Sequence, residues 1–221
     1  MSYYPVFLQL EGKTALVVGG GKVALRKVET LLNYGASVHL VAKELSPELK
    51  QLIEDGDVLF LGEVFREIDL KDIFLIIAAT DDKALNRRVS KTAREKGLLV
   101  NVADQPSDCN FILPSIVKRG DLSIAISTSG RSPALAKKIR TVLERQFGAE
   151  YEAFLVLMGY LREEVLSIGL PQEENRRIFF SIVESGIIEA LSERDWDRIE
   201  SILLRLLPRA INIKNIIKKL Q

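Results

Sequence analysis

The chain has 221 residues and a mass of 24.8 kDa, enough for one ordinary domain or for a standard domain with a smaller one attached. Hydrophobic residues make up 47% and charged residues 28%, which excludes a disordered chain and a membrane-embedded one. The formal net charge is only +1, so no overall basic field is available to hold nucleic acid. An anionic ligand would have to be bound by a local patch.

The chain contains a single histidine, His39, and a single cysteine, Cys109. These counts exclude a Cys/His zinc site, a CxxC redox pair and an intramolecular disulfide, and we predict no metal site in the protein. His39 is interpreted as a packed or edge residue of a strand with no catalytic role. Cys109 is interpreted as a buried residue or a loop thiol rather than a nucleophile, because no basic partner lies near it in the sequence. Enzymatic chemistry would then depend on carboxylates, hydroxyls, backbone amides or a bound cofactor.

The N-terminal residues lack the basic and apolar regions of a signal peptide. The longest apolar run, Ile73–Ala79, is far too short to span a bilayer. We therefore predict a protein of the reducing cytoplasm that has neither a membrane nor a nucleic acid as partner.

Strand-like and helix-like segments alternate over the first half of the chain. This alternation predicts an α/β fold with a doubly wound, Rossmann-type parallel sheet, because right-handed crossovers place helices on both faces. The predicted strands are Thr14–Val18, Ser37–Ala42, Asp57–Leu61, Ile73–Ala79 and Leu98–Ala103, and the predicted helices are Lys22–Tyr34, Glu48–Glu54 and Lys83–Lys96.

The pattern changes near residue 111. Two β-rich runs, Phe111–Val117 and Leu122–Ser127, predict a hairpin, a helix is expected over Ala134–Phe147, and the rest is almost wholly helical. We predict a nucleotide-binding domain over 1–113, a central β-hairpin-plus-helix region over 114–148 and a helical C-terminal domain over 149–221. Exposed edges of the hairpin would allow two subunits to pair.

A glycine-rich loop follows the first strand and opens a helix in the pattern GxGxxA. In this pattern Gly19 permits the tight turn, Gly21 lets the backbone approach a pyrophosphate, and Ala24 lets the helix pack close to the sheet. The amides at the helix start favour phosphate charge. The loop therefore predicts dinucleotide binding, and a bland glycine-rich turn is the alternative.

Two further segments fall at strand ends where such a ligand would lie. After the second strand, Glu44 would favour NAD through the ribose hydroxyls, whereas Lys43 could tolerate the extra phosphate of NADP; both could instead be solvated loop charges. After the fourth strand come Thr80, Asp81 and Asp82. Here cofactor contact and simple N-capping of the next helix are both open.

Asp104 stands at the carboxyl end of the fifth strand. A carboxylate at this rim can accept a proton while hydride leaves a substrate for the cofactor. The alternative is an Asx turn before Pro106.

A second candidate anion site, a cluster of hydroxyls, precedes the helix of the central region. Hydroxyls, exposed amides and an arginine at a helix start can form an anion site, and Lys137, Lys138 and Arg140 follow on the helix. A capped helix would explain Ser132 and Pro133 alone. The predicted substrate-binding residues of this cluster are Thr128, Ser129, Arg131 and Ser132.

Several motifs together resemble the siroheme-synthase dehydrogenase family, which comprises precorrin-2 dehydrogenases, some of which are also sirohydrochlorin ferrochelatases. The resemblance covers about the first 150 residues in order and extends in architecture to the helical tail. The motifs are Pro5-Val6-Phe7, Val17-Val18-Gly19-Gly20-Gly21-Lys22-Val23-Ala24 with Arg26-Lys27, Ala78-Ala79-Thr80-Asp81-Asp82, Asn101-Val102-Ala103-Asp104, Phe111-Ile112-Leu113-Pro114-Ser115 and Ser129-Gly130-Arg131-Ser132-Pro133.

The resemblance implies NAD-dependent oxidation of precorrin-2 to sirohydrochlorin, in siroheme biosynthesis, by a homodimer joined through the central β-region. It implies cofactor contacts at Lys22 and Val23 and at Lys43 and Glu44, and it makes Asp104 the catalytic aspartate. The tetrapyrrole carries many carboxylates. The hydroxyl cluster with its arginine (Thr128, Ser129, Arg131 and Ser132, called the Arg131 cluster below) would bind them, because a cation offsets their negative charge. Thr128 stands where some members have a serine that lies in the tetrapyrrole pocket and can be phosphorylated.

Other functions stay open at this point. A ferrochelatase activity would take ferrous iron as co-substrate, with Asp104 helping to remove pyrrole protons. A chain that only chelates metal would not need the intact glycine loop, and a non-catalytic NAD-sensing module would need neither Asp104 nor the Arg131 cluster.

Overall fold

The computed structural model describes residues 3–220, which form two compact units that meet in sequence between Leu113 and Pro114. The first unit contains a five-stranded parallel sheet in the order β3-β2-β1-β4-β5, which confirms the predicted α/β, Rossmann-type fold. Its strands are β1 (Thr14–Val18), β2 (Ser37–Val41), β3 (Val58–Gly62), β4 (Ile73–Ala78) and β5 (Leu99–Val102), and its α-helices are α1 (Lys22–Asn33), α2 (Pro47–Glu54) and α3 (Lys83–Glu95).

The centre of this sheet is apolar on both faces. β1 pairs in parallel with β2 on one side and with β4 on the other, and nearly every residue of β1 and β4 is buried. The chain order reverses between β1 and β4, so the crevice expected at the carboxyl ends of a doubly wound sheet opens there. Local sequence thus places the glycine loop, which follows β1, at this crevice.

The second unit begins with an antiparallel hairpin of β6 (Ser115–Arg119) and β7 (Leu122–Ile126). The hairpin is confirmed, but its predicted first strand starts four residues too early. Pro114 lacks an N–H donor, and the carbonyl of Phe111 instead accepts the side-chain N–H of Asn101 at 3.1 Å. Residues up to Leu113 belong to the first unit, and the strand begins only at Ser115.

Helices complete the second unit, and the apolar sides of the last five share one core. The terminal helix buries Ile213, Ile216 and Ile217 in it, while its lysines are exposed. None of the helices within residues 3–220 is both long and apolar enough to cross a membrane. The helices are α4 (Pro133–Gln146), α5 (Glu150–Ser167), α6 (Gln172–Val183), α7 (Ile187–Glu193), α8 (Trp196–Leu206) and α9 (Ile213–Leu220).

Candidate dinucleotide site and neighbouring carboxylate

The first two glycines of the loop allow it to fit between the ends of β2 and β4. Gly19 has φ 129°, and a Cβ on it would lie 2.7 Å from the carbonyl carbon of Ala79. A Cβ on Gly20 would overlap the carbonyl oxygen of Glu44, and the Gly20 carbonyl accepts the N–H of Ser46 at 2.9 Å. The GxGxxA motif assigns no role to Gly20. The unbroken triplet Gly19-Gly20-Gly21 was the sequence signal that this position also has no room for a side chain.

The third glycine faces open space. A Cβ on Gly21 would meet no atom within 4 Å, and no side chain caps α1, for which Gly21 is the N-cap. The first backbone amides of α1 are therefore available to a ligand. The positive end of the helix dipole lies at the same terminus and also favours an anion. This open cradle fits the pyrophosphate of a dinucleotide.

A cavity of about 620 Å³ surrounds the loop. It brings together all but one of the predicted cofactor-binding residues, which came from three separate segments of the sequence. The exception is Ala24, which is fully buried in the core and lets α1 approach the sheet. The predicted residues that line the cavity are Gly19, Gly21, Lys22, Val23, Lys43, Glu44 and Thr80.

The charged lining of the cavity is mainly acidic. Lys22 and Lys43 supply two ammonium groups, against four carboxylates at Glu44, Glu63, Asp81 and Asp82. This balance opposes a further phosphate and so favours NAD over NADP. Sequence reasoning missed Glu63, whose only signal was its place directly after β3.

Thr80 is held in place by Asn86, a buried amide on α3. The Asn86 side chain donates to the Thr80 carbonyl at 2.9 Å, and its oxygen lies 2.8 Å from the Thr80 hydroxyl. Asp82 is the N-cap of α3, accepting the amides of Ala84 and Leu85. The capping alternative therefore holds for Asp82, while the exposed Asp81 lines the cavity without capping.

Asp104 lies beyond the end of β5, on the neighbouring part of the same sheet edge. The N–H of Ala103 donates to Ala78 O at 2.9 Å, and the residues after Ala78 line the cavity. The exposed side chain of Asp104 makes no hydrogen bond or ion pair within residues 3–220, and its φ is 58°. No Asx turn forms in this part of the chain, so the carboxylate is available to accept a proton.

Cys109 and His39 have structural surroundings. Cys109 is 5% exposed, and its sulfur accepts the N–H of Val102 at 3.1 Å. Burial raises the pKa of this thiol, which confirms a buried loop thiol rather than a thiolate nucleophile. His39 lies in the middle of β2, where burial lowers its pKa.

The hydroxyl cluster of the second unit precedes α4. The Thr128 hydroxyl oxygen accepts the N–H of Ser132 at 3.1 Å, and the Ser132 oxygen accepts the N–H of Leu135 at 3.2 Å. Ser129 is exposed at φ 51°. Arg131 is exposed and its guanidinium has no partner within residues 3–220.

The lysines that follow on α4 are exposed, whereas Arg140 pairs with Glu144 at 3.5 Å. Arg140 is therefore not one of the available cations. Across residues 3–220 no three His, Cys, Asp or Glu side chains converge as metal ligands.

Comparisons with known proteins match both units of the chain. Residues 6–115 match a family model described as putative NAD(P)-binding, and residues 119–146 match one described as sirohaem biosynthesis protein central. Siroheme synthase 1 of Cronobacter sakazakii is 43% identical over 92% of this chain and 43% of its own length. Siroheme synthase of Neisseria meningitidis serogroup C is 47% identical over 86% of this chain and 40% of its own length.

The chain thus spans less than half the length of these curated relatives. Among solved structures, "SirC, precorrin-2 dehydrogenase" matches with a TM-score of 0.76 and 30% identity, over 90% of this chain and 98% of SirC. These matches confirm the resemblance indicated by the motifs. The chain belongs to the siroheme synthase and precorrin-2 dehydrogenase family.

Proposed function

We propose that this chain is an NAD-dependent precorrin-2 dehydrogenase that produces sirohydrochlorin in siroheme biosynthesis. One observation carries the proposal: a cavity suited to a dinucleotide lies at the same edge of one sheet as the Asp104 carboxylate, after the adjacent strands β4 and β5, and this carboxylate has no partner within residues 3–220. The full-length match to SirC supports it.

The reaction removes two hydrogens from the macrocycle, one as hydride and one as a proton. The hydride acceptor would be NAD⁺, held in the cavity around the glycine loop. The Asp104 carboxylate accepts the proton and releases it to solvent, which balances the reaction. The amides at the start of α1 bind the pyrophosphate, and Thr80, held by Asn86, shapes the cavity wall.

We also propose that the Arg131 cluster binds carboxylates of the tetrapyrrole. The guanidinium offers a charge-assisted, bidentate contact. Thr128 and Ser132 use their oxygens to accept backbone amides, which leaves each O–H able to donate. Ser129 is exposed beside them.

Anaerobic incubation with precorrin-2 and NAD⁺ tests the proposal. We expect NADH absorbance to rise together with the sirohydrochlorin spectrum. Asp104→Asn should lower kcat by roughly 10²–10⁴-fold with NAD affinity unchanged, whereas the control Asp57→Asn, before β3, should have no effect. Full turnover by Asp104→Asn contradicts the base role, and NAD binding without turnover of the wild type supports the NAD-sensing alternative.

The proposed oligomer is a homodimer that pairs through the hairpin. β6 and β7 form a sheet of two strands, and Ile116 on β6 is exposed. Pairing would cover such an edge. Sedimentation should give twice the chain mass, and Ile116→Lys should lower it to one chain; a monomeric wild type would contradict the proposal.

Two further parts of the proposal concern iron and location. We propose ferrous ion as a co-substrate, with the four ligand nitrogens supplied by the tetrapyrrole. Metal insertion into sirohydrochlorin without NAD would show it, and an unchanged macrocycle spectrum would oppose it. The cytoplasmic location is tested by cell fractionation, which should recover the protein with cytoplasmic markers.

A further inference from the structure

The position of Asp104 depends entirely on the backbone that carries it. Its side chain has no partner within residues 3–220, and its backbone adopts the left-handed conformation, with φ 58°. Asp tolerates this conformation better than most residues, but single residues rarely hold it without support from the surrounding structure. The support must therefore come from contacts made by the rest of the loop, residues 103–110.

Helix α3 holds the later part of this loop, residues 107–109, by hydrogen bonds. Arg94 Nη2 donates to the carbonyl of Cys109 at 2.8 Å and to that of Ser107 at 3.0 Å. One turn earlier, the Ser90 hydroxyl donates to the carbonyl of Asp108. Three successive carbonyls of the loop are thus held by one face of one helix.

Strand β5 binds the end of the same loop. The Asn110 side chain accepts the N–H of Val100 at 2.7 Å and donates to the carbonyl of Leu98 at 2.8 Å. Together with the contact between Cys109 and Val102, these bonds close the loop against the strand from which it departs. Asp104 lies within the closed segment.

We propose that Arg94 is a positioning residue for Asp104, and that it sets the rate of proton transfer by holding the loop; this role rests on the proposed function. Arg94 is suited to it because a guanidinium is planar and keeps its donors in a fixed geometry. A lysine is a single ammonium on a flexible stem and would not hold both carbonyls in the same way. The identity of the arginine, rather than its charge, is therefore what the loop requires.

The test compares Arg94→Lys with Arg87→Lys, an exposed position on the same helix that makes no side-chain hydrogen bond or ion pair within residues 3–220. We expect Arg94→Lys to lower kcat by about 10- to 100-fold, the size of effect that a small misplacement of a catalytic group produces. The KM for precorrin-2 and the affinity for NAD should change little. Arg87→Lys should behave as the wild type.

A double variant shows whether Arg94 acts through Asp104. If it does, Arg94→Lys should cause no further loss in single-turnover rate when Asp104 is already Asn, because the group that it positions is gone. An equal loss in both backgrounds, or full kcat in Arg94→Lys, would overturn the positioning role. Full kcat in Asp104→Asn would overturn the base role and the positioning role together, so the two failures are distinguishable.

Cys109 supplies a readout that does not depend on turnover. It is the chain's single cysteine and its thiol is bound within the loop, so its reaction with a thiol reagent reports loop opening. We expect faster labelling in Arg94→Lys than in Arg87→Lys, and equal rates would overturn the proposal. If Arg94→Lys does not fold, Ser90→Ala removes the neighbouring bond to Asp108 and should lower kcat in the same direction by a smaller factor; unchanged kcat there would also overturn it.

Discussion

The loop before α1 and the loop before α4 both join a strand to a helix, but they present their helix starts differently. Gly21 leaves the first amides of α1 without a side-chain cap. Before α4, Ser132 and Thr128 accept amides with their own oxygens. A helix start is a strong anion site only where its amides are unoccupied. The free amides of α1 therefore favour phosphate, whereas the proposed carboxylate site before α4 depends on the Arg131 side chain.

Gly20→Ala tests the loop of the first unit and should cause the largest loss of binding in this series. The added Cβ would overlap the Glu44 carbonyl oxygen, a backbone atom that cannot move aside without shifting the loop after β2. We expect NAD affinity to fall by more than about 100-fold, measured by calorimetric titration. The control is Gly159→Ala in α5, where a Cβ meets no atom within 4 Å; NAD binding should be unchanged there, and equal binding by both variants would contradict the close packing of the loop.

Arg131→Met tests the side-chain site of the second unit. Removing the guanidinium should raise the KM for precorrin-2 by about tenfold, since a charge-assisted hydrogen bond is lost. Steady-state kinetics should show little change in NAD affinity. The control Lys138→Met removes an exposed charge on α4, and the same rise in KM for both variants would indicate a general charge effect rather than a specific contact.

Gly21→Ser makes the first loop more like the second. A serine at this N-cap can occupy an amide of α1 with its own oxygen, in competition with phosphate. NAD affinity should fall by about fivefold while the melting temperature stays the same or rises slightly, since serine and glycine differ by only a few tenths of a kcal/mol at this position. An unchanged NAD affinity would show that the free amides do not bind the ligand.

Ser132→Ala tests the cap of α4. Loss of the bond to Leu135 should lower the free energy of unfolding by about 1 kcal/mol, measured by chemical denaturation. Ser201→Ala, at an exposed position in α8, should change it by less than about 0.5 kcal/mol. If the two variants are equally stable, the Ser132 hydroxyl contributes no cap.

His39→Gln should have the smallest effect, seen only in the pH dependence of stability. Burial lowers the pKa of His39 in the folded chain, so near and below its usual pKa of about 6.5 the unfolded chain binds more protons. Stability then falls as pH decreases through this window. The variant should lose less stability than the wild type between about pH 8 and about pH 5, and parallel denaturation profiles would contradict this.

The features of the fold and the site that could be predicted were those encoded by residues close together in the sequence. The parallel sheet, the glycine loop and the strand-end position of Asp104 followed from periodicity and from a short motif. The start of β6 was misplaced because Phe111 contacts the side chain of Asn101 on β5, a contact outside the local pattern. Glu63 and Asn86 were missed because their roles depend on which strand ends and helix faces meet in space.

The sequence by itself determined the class of fold, the dinucleotide loop and the family, because each is encoded in neighbouring residues. Only the tertiary structure decided which hydroxyls serve as caps, why Gly20 must lack a side chain and how Arg94 reaches the loop of Asp104. These features are contacts between residues distant in sequence or details of hydrogen bonding. They become definite when the chain brings its strand ends and helix starts together.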